Sequence, residues 1–320
     1  MMLHRTLIVY VVIIILYYAF GGASFPDYEN YITISQKGGY LFSPDEYFAE
    51  WGSRWWLKNV GEIIGNHKIS IDILVLFIQI YYLAWLLRGD DEKLDVAKLW
   101  ITIFLGPLLL TTTIRATPVY LLVYTLAATR VSAIKLMIIF MFGLFFHDTA
   151  LLVFLVYFIA YFIEINFKKS INFLVPGAWL ISILMILLGN LMAENIMLIL
   201  KNLNIGVRDV YLKSIDSPSF LKIAYALFIA VLCVPSIKRK EKTLEDLFLV
   251  GLLLLGALTF AVSSTAAIRI FIFAFGVSLI QLIKNSTESR MFVAASSFSY
   301  ALFFPLITSL MFWDLFRNTN

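Results

Sequence analysis

Long apolar segments follow one another along most of the chain, and they limit its fold more than any other feature. Each is close to the length that a helix needs to cross a bilayer, about 20 residues with a usual range of about 17–25. We therefore predict an all-α polytopic membrane protein with about 11 transmembrane helices, in a range of about 10–12 because some segments are short. The predicted spans are 6–20, 71–88, 97–114, 117–130, 132–146, 149–165, 172–190, 221–237, 246–263, 267–283 and 291–312.

Composition supports this prediction and excludes other classes of protein. Of 320 residues, 61% are hydrophobic and 14% are charged, whereas a soluble domain is usually about 45–50% apolar and about 25% charged. The net charge of +4 is mild, so cations on cytoplasmic loops explain it and no nucleic-acid partner is predicted. One cysteine, Cys233, excludes an intrachain disulfide and a cysteine-rich metal site. Three histidines disfavour a multi-histidine site, and we predict no metal ion and no cofactor.

The distribution of Lys and Arg sets the predicted orientation of a single transmembrane domain over residues 1–320. With the N-terminus in the cytoplasm, the predicted inner loops are rich in cations and the short outer turns are poor in them. Residues 6–20 are taken as a retained helix, because no clean cleavage motif follows them. The long loops 21–70 and 191–222 then face outward. Several polar residues fall on the same outer side: Asp27, Glu50, Arg54, Arg115, His147, Asp148, Arg208 and Arg269.

The first outer loop begins with alternating acidic and aromatic residues at 25–31. Tyr28 and Tyr31 could stack on sugar rings, while the Asp27 carboxylate could accept hydrogen bonds from hydroxyls or take a proton. The alternative is a belt of tyrosines at the membrane–water interface, where this residue type is enriched.

A helix is predicted later in the same loop. Residues 43–46 (Ser-Pro-Asp-Glu) form a capping box, and the helix runs from there to about Val60. Its aromatic side chains, including Trp51, share one face, which suits a helix lying in the membrane interface. The alternative is that Glu50 and Arg54, four residues apart on a neighbouring face, contact a sugar or a pyrophosphate.

Cations and a histidine also stand at the borders of later spans. Arg115 lies beside several threonines at a break between helices, where its planar fork could bind phosphate. His147 precedes a helix that Asp148 can cap, and it could take a proton or bind a phosphate oxygen. Arg269 lies one turn into its span, and Arg208 lies in the second outer loop. The alternatives are arginines that extend to the interface and a histidine that only completes a turn.

Three stretches carry a likeness to a known family. They are Asp27-Tyr-Glu-Asn-Tyr31, then Ile114-Arg115 followed by Phe146-His147-x-Thr149-Ala150-Leu151, and then Arg269 at the start of a late span. In this order they resemble the EpsG and Wzy-type repeat-unit polymerases of bacterial surface polysaccharides. The chain departs from the family pattern at Glu50-Trp51-Gly52, where members often have Glu-Pro-Gly, and at Ala116, where glutamine is usual after the arginine.

The resemblance implies a metal-independent, inverting-type glycosyltransferase of the bacterial inner (cytoplasmic) membrane. It would join oligosaccharide repeat units carried on undecaprenyl pyrophosphate, at the outer leaflet facing the periplasm or cell exterior, into O-antigen or capsule-like polysaccharide. The implied partners are this lipid-linked oligosaccharide, membrane lipid and a chain-length regulator protein. The site residues expected on this basis are His147, Asp27 and Glu50 as catalytic groups, Arg115, Arg269 and Arg54 for pyrophosphate, and Tyr28, Tyr31, Trp51 and Arg208 for sugar.

Other functions stay open on the sequence alone. An O-antigen ligase, or another lipid-sugar transferase, would use the same leaving group. A lipid-linked oligosaccharide flippase would place ionisable residues near the membrane midplane and often shows internal repeats, whereas here the charges gather at one rim and no repeat is visible. A membrane acyltransferase would also require a histidine.

Overall fold

The computed structural model describes residues 2–19, 27–36, 51–88, 92–129, 131–202, 220–262 and 264–285. Within these ranges the secondary structure is helical and contains no strand, in agreement with the all-α prediction. The α-helices are α1 (Met2–Ala19), α2 (Asp27–Gln36), α3 (Trp51–Trp55), α4 (Gly61–Ile64), α5 (His67–Leu87), α6 (Glu92–Pro107), α7 (Thr117–Ala128), α8 (Ala133–Phe146), α9 (Thr149–Asn166), α10 (Ile171–Asn202), α11 (Phe220–Leu232), α12 (Val234–Lys238), α13 (Leu244–Val262) and α14 (Ser264–Asn285).

The predicted apolar segments up to residue 283 coincide with helices, whereas 291–312 lies outside the described residues. In the part of the chain that the structure describes, four helical stretches are long and apolar enough to cross a membrane: His67–Leu87, Thr149–Asn166, Lys168–Leu188 and Ala266–Lys284. Apolar helices at Leu3–Ala19, Thr117–Ala128 and Ile134–Phe146 are shorter. The fold is therefore all-helical with membrane-spanning candidates, and a total near eleven spans stays a prediction.

Helix α10 is longer than a membrane span. Its 32 residues correspond to about 48 Å at about 1.5 Å per residue, which exceeds the hydrocarbon core of about 30 Å. The helix continues to Asn202, so the first part of the segment predicted as an outer loop, 191–222, is helical.

The chain divides into two units, Met1–Phe154 and Leu155–Asn320, with the boundary inside α9. In the second unit, α10 packs along α13 and α13 packs along α14. The start of α13 is fixed by Asp246, which is fully buried. Its Oδ2 accepts hydrogen bonds from the Thr243 backbone N–H at 2.9 Å and from the Arg239 guanidinium at 2.7 Å. This arrangement combines a helix cap with an ion pair.

In the first unit, α5 is the helix on which most others pack. It contacts α1, α2, α4 and α7, while α7 also packs on α8 and α3 packs on α8. Its start is well defined, because Gly65 ends α4 in the left-handed conformation (φ 68°) and the Asn66 side chain accepts the backbone N–H groups of Lys68 and Ile69. These contacts place the short helices α2 and α4 against α5.

Two π-helical segments interrupt this unit, at Trp56–Val60 and Leu108–Thr112. The first follows Arg54 after one residue, and the second ends shortly before Arg115. Such segments widen the helix locally and are frequent at functional sites, because the changed bonding pattern re-aims neighbouring side chains. Each pyrophosphate-binding arginine predicted in this unit therefore stands next to a local departure from α-helical geometry.

Candidate functional site

A single buried cluster joins the segments of the first unit that carry predicted site residues. Ile114 and Phe146 belong to it and stand directly before Arg115 and His147, so their burial places both site residues at the edge of one cluster. The helix α2 contributes two predicted sugar-binding tyrosines to the same cluster. Its members are Tyr17, Tyr28, Tyr31, Ile34, Leu57, Ile71, Leu74, Val75, Ile78, Ile114 and Phe146.

Helix α2 is held in place by a buried hydroxyl near its end. The Ser35 Oγ donates a hydrogen bond to the Leu57 carbonyl oxygen at 2.5 Å and lies 2.6 Å from His67 Nδ1. The Leu57 carbonyl belongs to the first π-helical segment and also accepts the Ser70 hydroxyl at 3.3 Å. A Cβ atom at Gly61 would lie 2.5 Å from His67 Nδ1, so this packing requires glycine there. The tyrosine face of α2 is thereby oriented by polar contacts at its far end.

The guanidinium of Arg115 lies over the ring of Tyr31, with its Cζ 5.2 Å from the ring centroid. The turn that carries Arg115 is fixed by Thr117, whose hydroxyl donates to the carbonyls of Leu109 at 2.5 Å and Thr113 at 3.0 Å. A cation–π contact uses the face of the guanidinium, whereas its N–H groups point outward along its edge. The contact with Tyr31 therefore holds the Arg115 guanidinium beside the aromatic face of α2.

Arg54 is positioned by a tight contact between α3 and the end of α8. The Ser53 hydroxyl donates to the Phe146 carbonyl oxygen at 3.1 Å. At Gly52 a Cβ atom would lie 2.2 Å from ring carbons of Phe145, so only glycine allows the two helices to approach this closely. Arg54 is half-buried, as Arg115 is, and the Nε atoms of both are buried. The two arginines come from segments far apart in sequence and border the same cluster.

His147 lies in the tight turn between α8 and α9 and is 8% exposed. Its Nδ1 accepts the Thr149 backbone N–H at 3.2 Å, and the Thr149 hydroxyl lies 3.0 Å away. The Asp148 Oδ1 is 2.9 Å from the same nitrogen. In the neutral ring that accepts from Thr149, the proton is on Nε2, whereas in the imidazolium Nδ1 can donate to Asp148. The imidazole therefore accepts a backbone N–H at the start of α9 and lies beside the Asp148 carboxylate.

One polar residue of this site was missed by the sequence reasoning. The Tyr28 hydroxyl donates to Asp72 Oδ1 at 3.3 Å, and Asp72 lies in the predicted span 71–88. Burial, together with the charge and hydrogen bond of Asp72, raises the pKa of Tyr28 to about 12, so Tyr28 stays protonated and keeps donating. The sequence itself contains an indication of this residue, because an acidic residue inside a spanning helix usually marks a functional site.

For the other predicted site residues the structure gives at most a position in a helix and a degree of exposure. Asp27 begins α2 and Trp51 begins α3, while Glu50 and Arg208 lie outside the described residues. Arg269 lies in α14 of the second unit and is exposed. Tyr28, Tyr31, Arg54, Arg115 and His147 are therefore the predicted residues that the structure brings around one cluster.

Within the described ranges, no group of three or more His, Cys, Asp or Glu side chains is arranged to hold a metal ion. Polar groups lie around the aromatic rings of this cluster: the half-buried guanidiniums of Arg54 and Arg115, the His147 imidazole and the Asp72 carboxylate. This set suits the binding of an anion beside hydroxyl-bearing groups. Comparison with known proteins finds no matching family model, no similar curated protein and no similar solved structure.

Proposed function

We propose that the protein is a repeat-unit polymerase, a membrane glycosyltransferase that joins undecaprenyl-pyrophosphate-linked oligosaccharides into O-antigen or capsule-like polysaccharide. The observation that carries this proposal is the position of the Arg115 guanidinium over the Tyr31 ring, at a cluster that Arg54 and His147 also border. Tyr31, Arg115 and His147 come from two of the three stretches of sequence that resemble the polymerase family, and Arg54 comes from α3, which lies between those two stretches in the sequence.

The leaving group accounts for the arginines. When the bond between the sugar and the pyrophosphate breaks, negative charge develops on the phosphate oxygens. Fixed guanidiniums next to apolar packing stabilise that charge without having to reorganise, because Tyr31 already holds one of them in place. Arg115 is assigned this role first, with Arg54 beside the same cluster. Arg269, in the second unit, stays a separate prediction for pyrophosphate binding.

The acceptor half of the reaction requires a proton acceptor. A hydroxyl of the incoming unit attacks the anomeric carbon and loses its proton as the new bond forms. His147, Asp27 and Glu50 are the groups that the sequence offers for this step. His147 has a second available role, since a neutral ring with its proton on Nε2 can donate to a phosphate oxygen. Tyr28, Tyr31, Trp51 and Arg208 are proposed to contact the sugars.

The proposed membrane arrangement follows the charge pattern of the loops. The chain would span the bacterial inner membrane about 11 times with its N-terminus in the cytoplasm. Residues 21–70 and 191–222 would face the periplasm or cell exterior, where lipid-linked units are presented. In this orientation α2, α3 and the turns at Arg115 and His147 share the outer side. A chain-length regulator protein and membrane lipid are the further partners proposed.

A ligase-like glycosyltransferase is the second candidate, because it would use the same pyrophosphate leaving group and hence the same arginines. A flippase is less well supported, since the cluster gathers charges near helix ends and transporters place them near the midplane. A transporter would also need no fixed anion site at one rim.

Deletion of the gene followed by electrophoresis of the surface polysaccharide separates these functions. A polymerase predicts that the deletion strain carries single repeat units in place of long chains. A ligase predicts long chains that stay on the lipid carrier. A flippase predicts that repeat units accumulate on the cytoplasmic leaflet and none reaches the surface. The last two results would contradict the proposal. Complementation with the Arg88→Ala variant, whose exposed arginine lies at the other end of α5, should restore long chains.

A further inference from the structure

Asp72 is an acidic residue in a helix that is mostly apolar after its first turn. The helix α5 has a mean hydropathy of 2.0 over its spanning window, and Asp72 is its acidic residue. A carboxylate in such a segment is costly, so it is usually retained for a function. It lies near the end of α5 that follows the first outer loop, and its side chain is exposed. The described part of the protein therefore leaves the Asp72 side chain uncovered, at the end of α5 where the proposed reaction takes place.

The neighbours of Asp72 come from three helices. The Tyr28 hydroxyl of α2 donates to Oδ1 at 3.3 Å. Tyr17 and Tyr18 of α1 lie within electrostatic range of the carboxylate. Lys68 stands one turn earlier on α5 and is also within that range. The hydrogen bond found in the described part of the site engages Oδ1, which leaves Oδ2 of this exposed carboxylate to accept from a ligand hydroxyl.

Helix α2 connects this carboxylate to the arginine of the proposed site. Tyr28 and Tyr31 are three residues apart, so they occupy neighbouring positions on one helical face, with about 5–6 Å between their Cβ atoms. Tyr28 contacts Asp72, and Tyr31 lies under the Arg115 guanidinium. Both tyrosines are buried, so the face is rigid. The Asp72 carboxylate of α5 and the Arg115 guanidinium thus contact neighbouring positions on one face of α2.

We propose that Asp72, oriented by Tyr28, is the general base that takes the proton from the acceptor hydroxyl. The inference rests on the proposed polymerase function. The acceptor oxygen forms a bond to the anomeric carbon of the donor sugar, and the bond from that carbon to the pyrophosphate oxygen breaks. The pyrophosphate leaves with the electron pair and is held by Arg115, while the proton passes to Asp72 Oδ2 and then to solvent. His147 then takes its other available role, as a donor to a phosphate oxygen.

The variants Asp72→Asn and Tyr28→Phe distinguish a general base from a residue that only joins α5 to α2, because the two roles predict opposite orders of activity. Asp72→Asn keeps an oxygen that accepts the Tyr28 hydroxyl but cannot take a proton. The hydrogen bond between α2 and α5 would therefore be kept in this variant. Tyr28→Phe removes the hydrogen bond between α2 and α5 but keeps the Asp72 carboxylate. As a general base, Asp72 should lose roughly 10²–10⁴-fold in kcat when changed to Asn, with KM for the lipid-linked donor and the thermal unfolding midpoint unchanged. Tyr28→Phe should stay within about tenfold of wild type, since the base remains and only its orientation is relaxed.

The experiment measures chain extension by the purified full-length protein on undecaprenyl-pyrophosphate-linked oligosaccharide, with donor binding measured in parallel. Asp72→Asn within tenfold of wild type would overturn the inference, as would equal losses in Asp72→Asn and Tyr28→Phe with a lowered unfolding midpoint. If Asp72→Asn is active and Arg115→Ala is not, the base assignment fails and the polymerase proposal stands. If the wild-type protein extends no chains, the proposed function fails as well.

Discussion

Replacement of Arg115 tests the proposed anion site most specifically. The guanidinium lies 5.2 Å from the Tyr31 ring centroid, and its turn is fixed by the hydroxyl of Thr117. Loss of one preorganised donor to a developing oxyanion costs about 2.7–4 kcal/mol of transition-state stabilisation. Arg115→Ala should therefore lower kcat by roughly 10²–10³-fold while the protein still inserts. Arg115→Lys keeps the charge but loses the planar fork, so it should recover only part of this loss.

The substitution Tyr31→Leu removes the aromatic ring under Arg115 and keeps the guanidinium, so it measures the contribution of the ring alone. A cation–π contact contributes about 0.5–2 kcal/mol, depending on its exposure, which corresponds to roughly 2–30-fold in rate. Because Arg115 is half-buried, we expect a loss inside this range and well below that of Arg115→Ala. The ring also packs in the cluster, so the unfolding midpoint should fall in the Leu variant.

The assay is chain extension on a lipid-linked repeat, with products resolved by electrophoresis and rates taken from the disappearance of the single unit. Arg88→Ala, with its exposed side chain at the opposite end of α5, serves as the matched control and should keep the wild-type rate. Wild-type activity in Arg115→Lys would refute the planar-fork reasoning. Wild-type activity in Arg115→Ala would remove Arg115 from the site.

Three further outcomes are expected. His147→Gln should keep more activity than His147→Ala in the same extension assay, because its amide can still donate to a phosphate oxygen; equally poor variants would make His147 the base and contradict the assignment to Asp72. Gly52→Ala should lower the thermal unfolding midpoint and the activity, since its Cβ would lie 2.2 Å from the Phe145 ring and overpacking typically costs about 1–3 kcal/mol. The matched Gly177→Ala, with nothing within 4 Å of its Cβ, should be neutral or slightly stabilising, and equal effects of the two would refute the close-packing argument. An impermeant thiol reagent added to intact cells should label Glu62→Cys and not Lys240→Cys, both being exposed while the native Cys233 is buried; the reverse pattern would overturn the orientation.

The helical architecture was predictable because it depends on the length and hydropathy of local segments. Segments such as 71–88 and 149–165 coincide with α5 and α9, since a run of apolar residues in lipid satisfies its backbone only as a helix. The continuation of α10 to Asn202 was not predictable in this way. Its last turns are less apolar, and helix length outside the membrane depends on packing and solvent.

The members of the candidate site were mostly predictable, but their contacts were not. The sequence predicts pyrophosphate as the ligand of Arg115 and sugar as the ligand of Tyr31, whereas their contact depends on tertiary packing. Asp72 is hard to single out by hydropathy, because one carboxylate hardly changes the mean hydropathy of its span. Its contact with Tyr28 joins residues that are remote in sequence, so local patterns cannot reveal it. The two π-helical segments also depend on tertiary packing.

The most direct test of the account is chain extension by the purified protein alone. The full-length protein would be reconstituted in vesicles with undecaprenyl-pyrophosphate-linked oligosaccharide, without ATP, a metal ion or an ion gradient. The account predicts a ladder of products with two or more repeats on one lipid carrier, together with release of undecaprenyl pyrophosphate. Single units that remain unextended while they move between leaflets, or transfer only to a lipid A acceptor, would contradict it.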